Sequence, residues 1–194
     1  TSGFRETDGG LHKKYKIYPD IAVFGNSLGN GIPITAVLGK KEIMSKAMKS
    51  FISSTFWSDS TGPAAAISTL NEMNRTKSWK KISNIGRKIK KKWMKLSKKY
   101  KIKINIQGID ALPSFSFDSK LNLYLKTFLT QEMLKKNILA TNSVYCCVQH
   151  EKYLDIYFTE LEKIFSSINK ILKIKNIHNF LRFPVSQPGF SRLN

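Results

Sequence analysis

The sequence predicts an α/β protein with two zones, and three observations point to this fold class. Short apolar runs that end at glycine or proline, such as residues 20–25, are typical of buried strands. Apolar side chains recur at helical spacing over residues 78–100. Helical and extended segments then alternate along the rest of the chain. The 194 residues are enough for one domain or for part of a larger one.

The first zone, residues 1–76, is interpreted as a piece of an α/β domain. Pro63 favours a helix start, because proline is well tolerated in the first turn of a helix. The connection over residues 26–33 is too short to hold a helix. The predicted elements are a loop over 1–16, a buried strand over 20–25, a strand over 34–39, and helices over 40–50 and 64–75.

The second zone, residues 77–194, is interpreted as a small, nearly complete α+β domain. Its helices are predicted from 3.6-residue periodicity and its strands from short apolar or alternating runs. The predicted helices cover 78–100, 122–136 and 151–172, and the predicted strands cover 102–106, 111–118, 138–140 and 144–148.

The chain is strongly basic, with a formal net charge of +20. Residues 77–103 are rich in lysine and hold no acidic residue. Such a face could bind a phosphate backbone or an anionic membrane, or it could be the solvated face of a helix in a lysine-rich protein. We favour the second interpretation, because lysine greatly outnumbers arginine, the usual residue for bidentate phosphate and base contacts.

The cysteines indicate a reduced protein, and we expect it in the cytoplasm. Cys146 and Cys147 are adjacent, a poor arrangement for a disulfide and not the spacing of a zinc site, so no metal site is predicted. No apolar run approaches the roughly 20 residues that a membrane-spanning helix needs. The first residues also lack the apolar core of a signal peptide.

Two further segments could carry chemistry, and each also has a structural interpretation. The hydroxyl-rich residues 53–62 precede a predicted helix and could hold a phosphate. Alternatively, Ser58, Asp59 or Ser60 caps that helix. His150 could act as an acid or base, but we favour a structural or capping role.

The most informative stretch is PDIAVFGNSLGNGIP, residues 19–33. An apolar strand ends at Gly25, a second glycine cluster follows, and the side chain presented between them is Asn26. Asparagine next to glycine tolerates left-handed backbone conformations, so Asn26 taken alone is interpreted as a turn residue.

In its context, this stretch resembles the active-site segment of class III pyridoxal-phosphate aminotransferases, in the branch of glutamate-1-semialdehyde aminomutase. The resemblance extends in order over essentially the whole chain. The segments that carry it are TSGFR at 1–5, PDIAVFG at 19–25, LGNGIPITAVLG at 28–39, SSTFW at 53–57 and PGFSRLN at 188–194.

The resemblance implies the C-terminal portion of a fold type I enzyme, with 1–76 as the end of the cofactor-binding large domain and 77–194 as the small domain. It implies a homodimer with shared sites, a pyridoxal 5'-phosphate cofactor, a small-molecule amino donor and a carbonyl acceptor such as a semialdehyde or keto sugar. Nucleic acid and membrane are not expected partners. Thr55 would contact the cofactor phosphate of the neighbouring subunit, and Gly29 and Gly31 would shape the turn beside the cofactor.

Two departures from the family pattern lead us to expect an inactive chain. Asn26 occupies the position of the Schiff-base lysine, and an amide can neither attach the cofactor nor move protons. The aspartate that partners the cofactor ring would lie just before Thr1, so we expect a truncated chain.

The change at residue 26 could be engineered, a result of gene decay, or the mark of a pseudoenzyme, and we favour decay or a cut gene. The alternative function is a non-catalytic binding module that uses the basic face.

Overall fold

A computed structural model describes residues 1–53, 55–56, 58–174 and 178–188 of the chain. Short 3-10 helices cover Val148–Tyr153 and His178–Phe180. The elements in chain order are α1 (His12–Tyr15), β1 (Ile21–Phe24), β2 (Ala36–Gly39), α2 (Lys41–Ala47), α3 (Thr61–Thr76), α4 (Ser78–Tyr100), β3 (Ile104–Gln107), β4 (Ser114–Phe117), α5 (Asn122–Leu134) and α6 (Leu154–Ile171).

The chain forms two compact units, Thr1–Ser83 and Asn84–Asn194. The division falls inside α4 and seven residues after the expected boundary between residues 76 and 77. The assignment of the two zones to a cofactor-binding domain and a small domain stays a prediction.

The first unit contains an antiparallel hairpin of β1 and β2, in which Val23 pairs with Val37. The strand predicted over residues 20–25 is therefore present, but its predicted burial is wrong. The side chains of Ile21 and Val23 are 49% and 69% exposed. The predicted loop over residues 1–16 also needs correction, because it ends in the single helical turn of α1.

The second unit is organised around an aromatic core that α4, β4 and α6 supply together. Trp93 is fully buried, and its ring meets that of Phe115 edge to face, with 4.7 Å between centroids. The ring of Phe165 lies 6.3 Å from that of Phe115. The Trp93 Nε1–H donates a 3.0 Å hydrogen bond to the Tyr157 hydroxyl, so the indole is not left unsatisfied in the core.

The long helix predicted over residues 78–100 is confirmed as α4. Its buried positions recur every three or four residues, which places them on one face of the helix. The side chains on that face are Ile85, Ile89, Trp93 and Leu96, each no more than 1% exposed.

The strands predicted over residues 138–140 and 144–148 are wrong. The Val144 N–H does donate to the Pro113 carbonyl (3.0 Å), so this segment runs beside β4. Proline has no N–H to return the bond, and the ladder is broken there. Residues 138–140 instead follow the left-handed Asn137, and the Ile138 N–H donates to the Met133 carbonyl to close the end of α5.

The basic face of α4 is partly neutralised within the second unit. Lys90 Nζ and Arg87 Nη1 each lie 3.2 Å from a carboxylate oxygen of Asp110. Lys88 pairs with Glu151 at 3.1 Å. These ion pairs give the lysine-rich helix a structural use that requires no nucleic acid.

The Glu162 carboxylate on α6 accepts hydrogen bonds from two lysines of this basic face, which lie two turns apart on α4. Its carboxylate oxygens lie 2.7 Å from Lys92 Nζ and 2.6 Å from Lys99 Nζ. Hydrogen bonds from Lys92 and then Lys99, with their positive charges, lower the pKa of Glu162 from 4.5 to about 2.

The contacts of Glu162 with the two lysines, hereafter the Glu162 clamp, should make the stability of the second unit sensitive to acid. Because the folded pKa lies below the unfolded one, the stabilisation is complete above pH 4.5 and is lost as the pH falls from 4.5 to about 2. Glu162→Gln should make the decline of the free energy of unfolding shallower in this window, as measured by urea denaturation at a series of pH values. Glu160→Gln is the control, since Glu160 pairs with Lys163 on its own helix. Equal pH dependence for Glu162→Gln and the unaltered chain would contradict the clamp.

Within the described residues, no helix is both long enough and apolar enough to cross a bilayer.

Candidate functional site

The connection between β1 and β2 consists of two successive tight turns. In the first, the Leu28 N–H donates to the Gly25 carbonyl at 2.8 Å. In the second, the Ile32 N–H donates to the Gly29 carbonyl at 3.1 Å. Leu28 is 5% exposed and anchors the connection between the two turns. The loop is therefore a fixed structure that presents side chains at the end of β1.

Asn26 lies in the first turn as the sequence predicts, although β1 ends at Phe24 and Gly25 lies between them. Its φ is 22°, in the left-handed region that asparagine tolerates better than most residues. The side chain is exposed, and Nδ2 donates a 3.1 Å hydrogen bond to Thr1 Oγ1. Arg5 Nε in turn donates to the Thr1 carbonyl at 2.7 Å, which holds Thr1 beside the turn.

The chemistry available at Asn26 is that of a neutral amide. Its nitrogen lone pair is delocalised into the carbonyl, so Asn26 can donate and accept hydrogen bonds but cannot attack a carbonyl or accept a proton near neutral pH. The observed bond to Thr1 uses it as a donor. Residue 26 therefore does not fit the covalent attachment of a carbonyl cofactor.

Gly29 and Gly31 have different physical roles in the second turn. Gly29 is buried, and a Cβ built on it would lie 2.1 Å from the Ile32 carbonyl oxygen. Gly31 has a φ of 115°, which side chains rarely adopt, but a Cβ there would meet nothing within 4 Å. Gly29 thus permits a close backbone approach and Gly31 an unusual conformation, while their contact with a cofactor stays a prediction.

Replacing Gly29 by alanine is expected to open the second turn. The added methyl overlaps a backbone carbonyl that cannot move without breaking the turn, at a cost of roughly 2 kcal/mol. Hydrogen exchange of the Ile32 amide should accelerate by at least about tenfold, since that amide is bonded to the Gly29 carbonyl. Gly9→Ala is the matched control, because its nearest contact is the flexible Lys13 side chain at 3.4 Å. Unchanged exchange in Gly29→Ala would show that the turn does not depend on close approach.

The hydroxyl-rich segment before α3 is held by a hydrogen bond from the backbone to Asp59. Asp59 Oδ1 accepts the Thr61 N–H at 2.7 Å, and hydrogen bonds from Thr61 lower the pKa of the Asp59 carboxyl. The N-cap residue of α3 is Ser60, which makes no side-chain capping bond, so the predicted capping is replaced by this contact from Asp59, one residue earlier. The helix dipole favours a negative charge at the start of α3, and the Asp59 carboxylate already lies there, where a phosphate would otherwise bind.

Thr55 lies in an exposed turn of the same segment, and its proposed contact with a phosphate stays a prediction. Its neighbours Ser54 and Trp57, and residues 189–194 of the PGFSRLN segment, lie outside the described residues.

His150 has a capping role at the 3-10 helix before α6. The Cys147 N–H donates to His150 Nδ1 at 3.3 Å, and burial lowers the pKa of the imidazole. His150 also lines a mainly apolar cavity of about 310 Å³ with Tyr153 and Tyr157. Over the described ranges, no group of three or more histidine, cysteine, aspartate or glutamate side chains could hold a metal ion.

The structure thus brings Asn26, Gly29 and Gly31 into one loop, as expected from their spacing. It adds Thr1 and Arg5, which the sequence analysis did not single out as site residues. Thr1 is 25 positions from Asn26, and no local sequence pattern predicts such a contact.

Sequence comparison places this loop in a known context. Residues 8–172 match the family model described as aminotransferase class-III. The chain is 31% identical to 3-aminobutyryl-CoA aminotransferase of Cloacimonas acidaminovorans over 89% of its length and 43% of that protein. It is 30% identical to glutamate-1-semialdehyde 2,1-aminomutase of Saccharolobus islandicus over 74% of its length and 36% of that protein. The chain therefore spans less than half the length of these curated relatives.

The fold agrees with this result. The internal aldimine form of the FumI protein of Sphingopyxis sp., which contains PLP, superimposes with a TM-score of 0.82 at 20% identity. The match covers 91% of this chain and 44% of that protein. An S-selective transaminase from Arthrobacter sp. superimposes with a TM-score of 0.73, also at 20% identity. The chain thus shares the fold of the fold type I transaminases.

Proposed function

Since this chain belongs to the class III aminotransferase family, we propose that it is part of a pyridoxal-phosphate-dependent aminotransferase or aminomutase. This part would contain the small domain and the double turn beside which the cofactor binds. The observation that carries the proposal is the double turn after β1. Asn26 stands there within the matched residues 8–172, at the end of a strand and ahead of the closely packed Gly29.

We further propose that Asn26 occupies the position of the cofactor-binding lysine and that the chain as given does not transfer amino groups. Pyridoxal phosphate supplies a carbonyl that takes up the amine and a ring that withdraws electrons. A protein amine must hold that carbonyl and move protons beside it, and the Asn26 amide can do neither. We assign no step of amino transfer to this chain for that reason.

The remaining residues would bind the cofactor without a covalent bond. Gly29 and Gly31 would let the backbone lie close to the cofactor, and Thr55 would donate its hydroxyl to the phosphate in the neighbouring subunit. The Thr55 role implies a homodimer, because the contact crosses between subunits. The exposed position of Thr55 supports this role.

The reactants of the complete enzyme would be a small-molecule amino donor and a carbonyl acceptor. The names of the two relatives describe a 3-aminoacyl thioester and an amino semialdehyde, and both are short-chain compounds with a carbonyl group. We propose the cytoplasm as the location, supported by Cys146 and Cys147, neither of which forms a disulfide within the described residues. The comparisons give no support to a nucleic-acid- or membrane-binding module.

In the experiment, the 194-residue chain is co-expressed with a second polypeptide. This second polypeptide, hereafter the complementing polypeptide, is the part of 3-aminobutyryl-CoA aminotransferase of C. acidaminovorans that does not match this chain. We expect the pair to bind pyridoxal phosphate reversibly, with full loss of cofactor absorbance on dialysis. We expect no transfer of an amino group from any donor. Amino transfer by the pair would refute the proposed role of Asn26, and failure to bind the cofactor at all would refute the proposed site.

A further inference from the structure

The cavity of about 310 Å³ in the second unit, hereafter the tyrosine cavity, is built on the packed core. Its floor includes Ile89, Leu154 and Tyr157, each no more than 9% exposed. Tyr145 and Tyr153 lie at its rim, because their side chains are 60% and 62% exposed. A cavity with a packed floor keeps its shape without a ligand, and about 300 Å³ is the lower end of the range for small-molecule sites.

The walls of the tyrosine cavity favour a neutral ligand. Among the eleven described residues that line it, none is aspartate, glutamate, lysine or arginine, although the chain has a net charge of +20. A charged ligand would lose its hydration there without gaining an opposite charge. Water is also poorly accommodated along the apolar walls, since a buried water needs about two to four polar partners.

His150 contributes an unused hydrogen-bond donor to the wall. Its Nδ1 accepts the Cys147 N–H at 3.3 Å. Burial lowers the pKa of the imidazole, so the ring is neutral near neutral pH and holds one proton. Because Nδ1 is the acceptor, that proton lies on Nε2, and the Nε2–H has no acceptor within the described residues. A ligand in the cavity can supply this acceptor.

The volume and the rim indicate the size and shape of the ligand. An apolar cavity of about 150 Å³ holds one benzene ring, so a cavity of about twice that volume fits two fused rings with a short substituent. The phenol rings of Tyr145 and Tyr153 offer aromatic faces and edges against which a planar molecule packs well. The short substituent is then the place for the group that accepts from His150.

We propose that the tyrosine cavity binds a neutral, planar, mainly apolar small molecule whose carbonyl oxygen accepts a hydrogen bond from His150 Nε2–H. The chemical class that fits is a carbonyl compound with two fused aromatic rings. None of the described residues that line the cavity belongs to the turns over residues 26–33 on which the proposed function rests. The inference therefore goes beyond that function, and its readout needs no cofactor.

The test is equilibrium dialysis of the 194-residue chain with two probes of nearly the same shape. 2-Acetylnaphthalene has a carbonyl oxygen. 2-Ethylnaphthalene has an ethyl group in place of the acetyl group and therefore has no acceptor. Each probe should bind once per chain with a dissociation constant below about 100 µM, as expected of a largely buried ligand of this size.

His150→Phe tests the hydrogen bond, because it keeps a ring in the wall and removes the donor. It should weaken the binding of 2-acetylnaphthalene about fivefold, the usual contribution of one hydrogen bond, and should not weaken that of 2-ethylnaphthalene. Retained binding of the hydrocarbon also shows that the cavity survives the loss of the contact between residues 147 and 150. Equal weakening of the two probes would contradict the proposal.

Val144→Phe tests the location, because Val144 lines the cavity and a larger side chain would fill part of it. It should weaken the binding of both probes at least about tenfold. Val185→Phe is the matched control, since Val185 is 42% exposed in the second unit and does not line the cavity. Both probes should bind this control as they bind the unaltered chain, and circular dichroism should show the same helix content in both variants.

Three further outcomes would overturn the proposal. Neither probe binds, or Val144→Phe binds both probes as tightly as the unaltered chain. In the third, the complementing polypeptide displaces both probes from the chain, which would make protein the occupant of the cavity in the assembled enzyme. We expect both probes to remain bound when that polypeptide is added.

Discussion

Asn26→Lys is expected to turn an inactive assembly into one that transfers amino groups. The chain is tested together with the complementing polypeptide, and the rate should rise at least about 100-fold above that of the unaltered pair. The change supplies an amine at the end of β1, where Asn26 offers only an amide that donates to Thr1. The lysine can then hold the cofactor carbonyl and move the proton that amino transfer requires.

The substitution also has a conformational cost, which sets its control. Residue 26 has a φ of 22°, and a lysine there costs about 1 kcal/mol relative to asparagine. Asn30→Lys is matched to it, because Asn30 is also exposed and has a φ of 46° in the adjacent turn. The control should gain no activity. Equal activity in the two variants would mean that residue 26 has no special position.

Gly86→Ala is expected to destabilise the second unit by about 3 kcal/mol. Gly86 lies on the buried face of α4, between Ile85 and Ile89, and a Cβ there would lie 1.6 Å from the Asp110 carbonyl oxygen. That oxygen belongs to the backbone, so it cannot rotate away as a side chain could. The helix must instead separate from the loop after β3, and the packing around Trp93 is lost with it.

Urea denaturation followed by circular dichroism measures this effect. Lys91→Ala on the exposed side of α4 is the control and should change the free energy of unfolding by no more than about 0.5 kcal/mol. If Gly86→Ala unfolds at the same urea concentration as the unaltered chain, the close approach of α4 to Asp110 does not occur.

How much of the fold could be predicted depends on where each element obtains its stability. The helix α4 was predictable because its buried face follows from the spacing of Ile85, Ile89, Trp93 and Leu96 alone. The segment around Val144 was not, because its apolar residues resemble a strand while the missing N–H of Pro113, 31 positions earlier, interrupts the pairing.

The burial of β1 was mispredicted for a different reason. An apolar run such as IAVF is typical of a strand buried on both faces, but the hairpin has exposed apolar side chains on both, with Val23 on one face and Leu38 on the other. Sequence periodicity contains no information about which polypeptide provides the second layer. The exposure of Val23 is therefore a property that the sequence pattern could not predict.

The candidate site was predictable where it is local. Asn26, Gly29 and Gly31 lie within six consecutive positions of the sequence, and the glycines require tight turns, so their shared loop follows from the sequence. The bond from Asn26 to Thr1 depends on how the N-terminal segment folds back over β1, which no motif reports. The contact of Asp59 with the start of α3 was not predictable either, because the serines on each side of it were equally suited to that role.

The central claim, that Asn26 stands at the position of the cofactor-binding lysine, is tested most directly by chemical trapping. The unaltered chain, Asn26→Lys and Asn30→Lys are each assembled with the complementing polypeptide, incubated with pyridoxal phosphate, and reduced with borohydride, which makes a lysine–cofactor link permanent. Peptide mapping then locates the label. We predict cofactor on residue 26 in Asn26→Lys and no label at residues 19–33 in the other two assemblies. Absence of label at residue 26 in Asn26→Lys, with cofactor bound to the assembly, would contradict the claim.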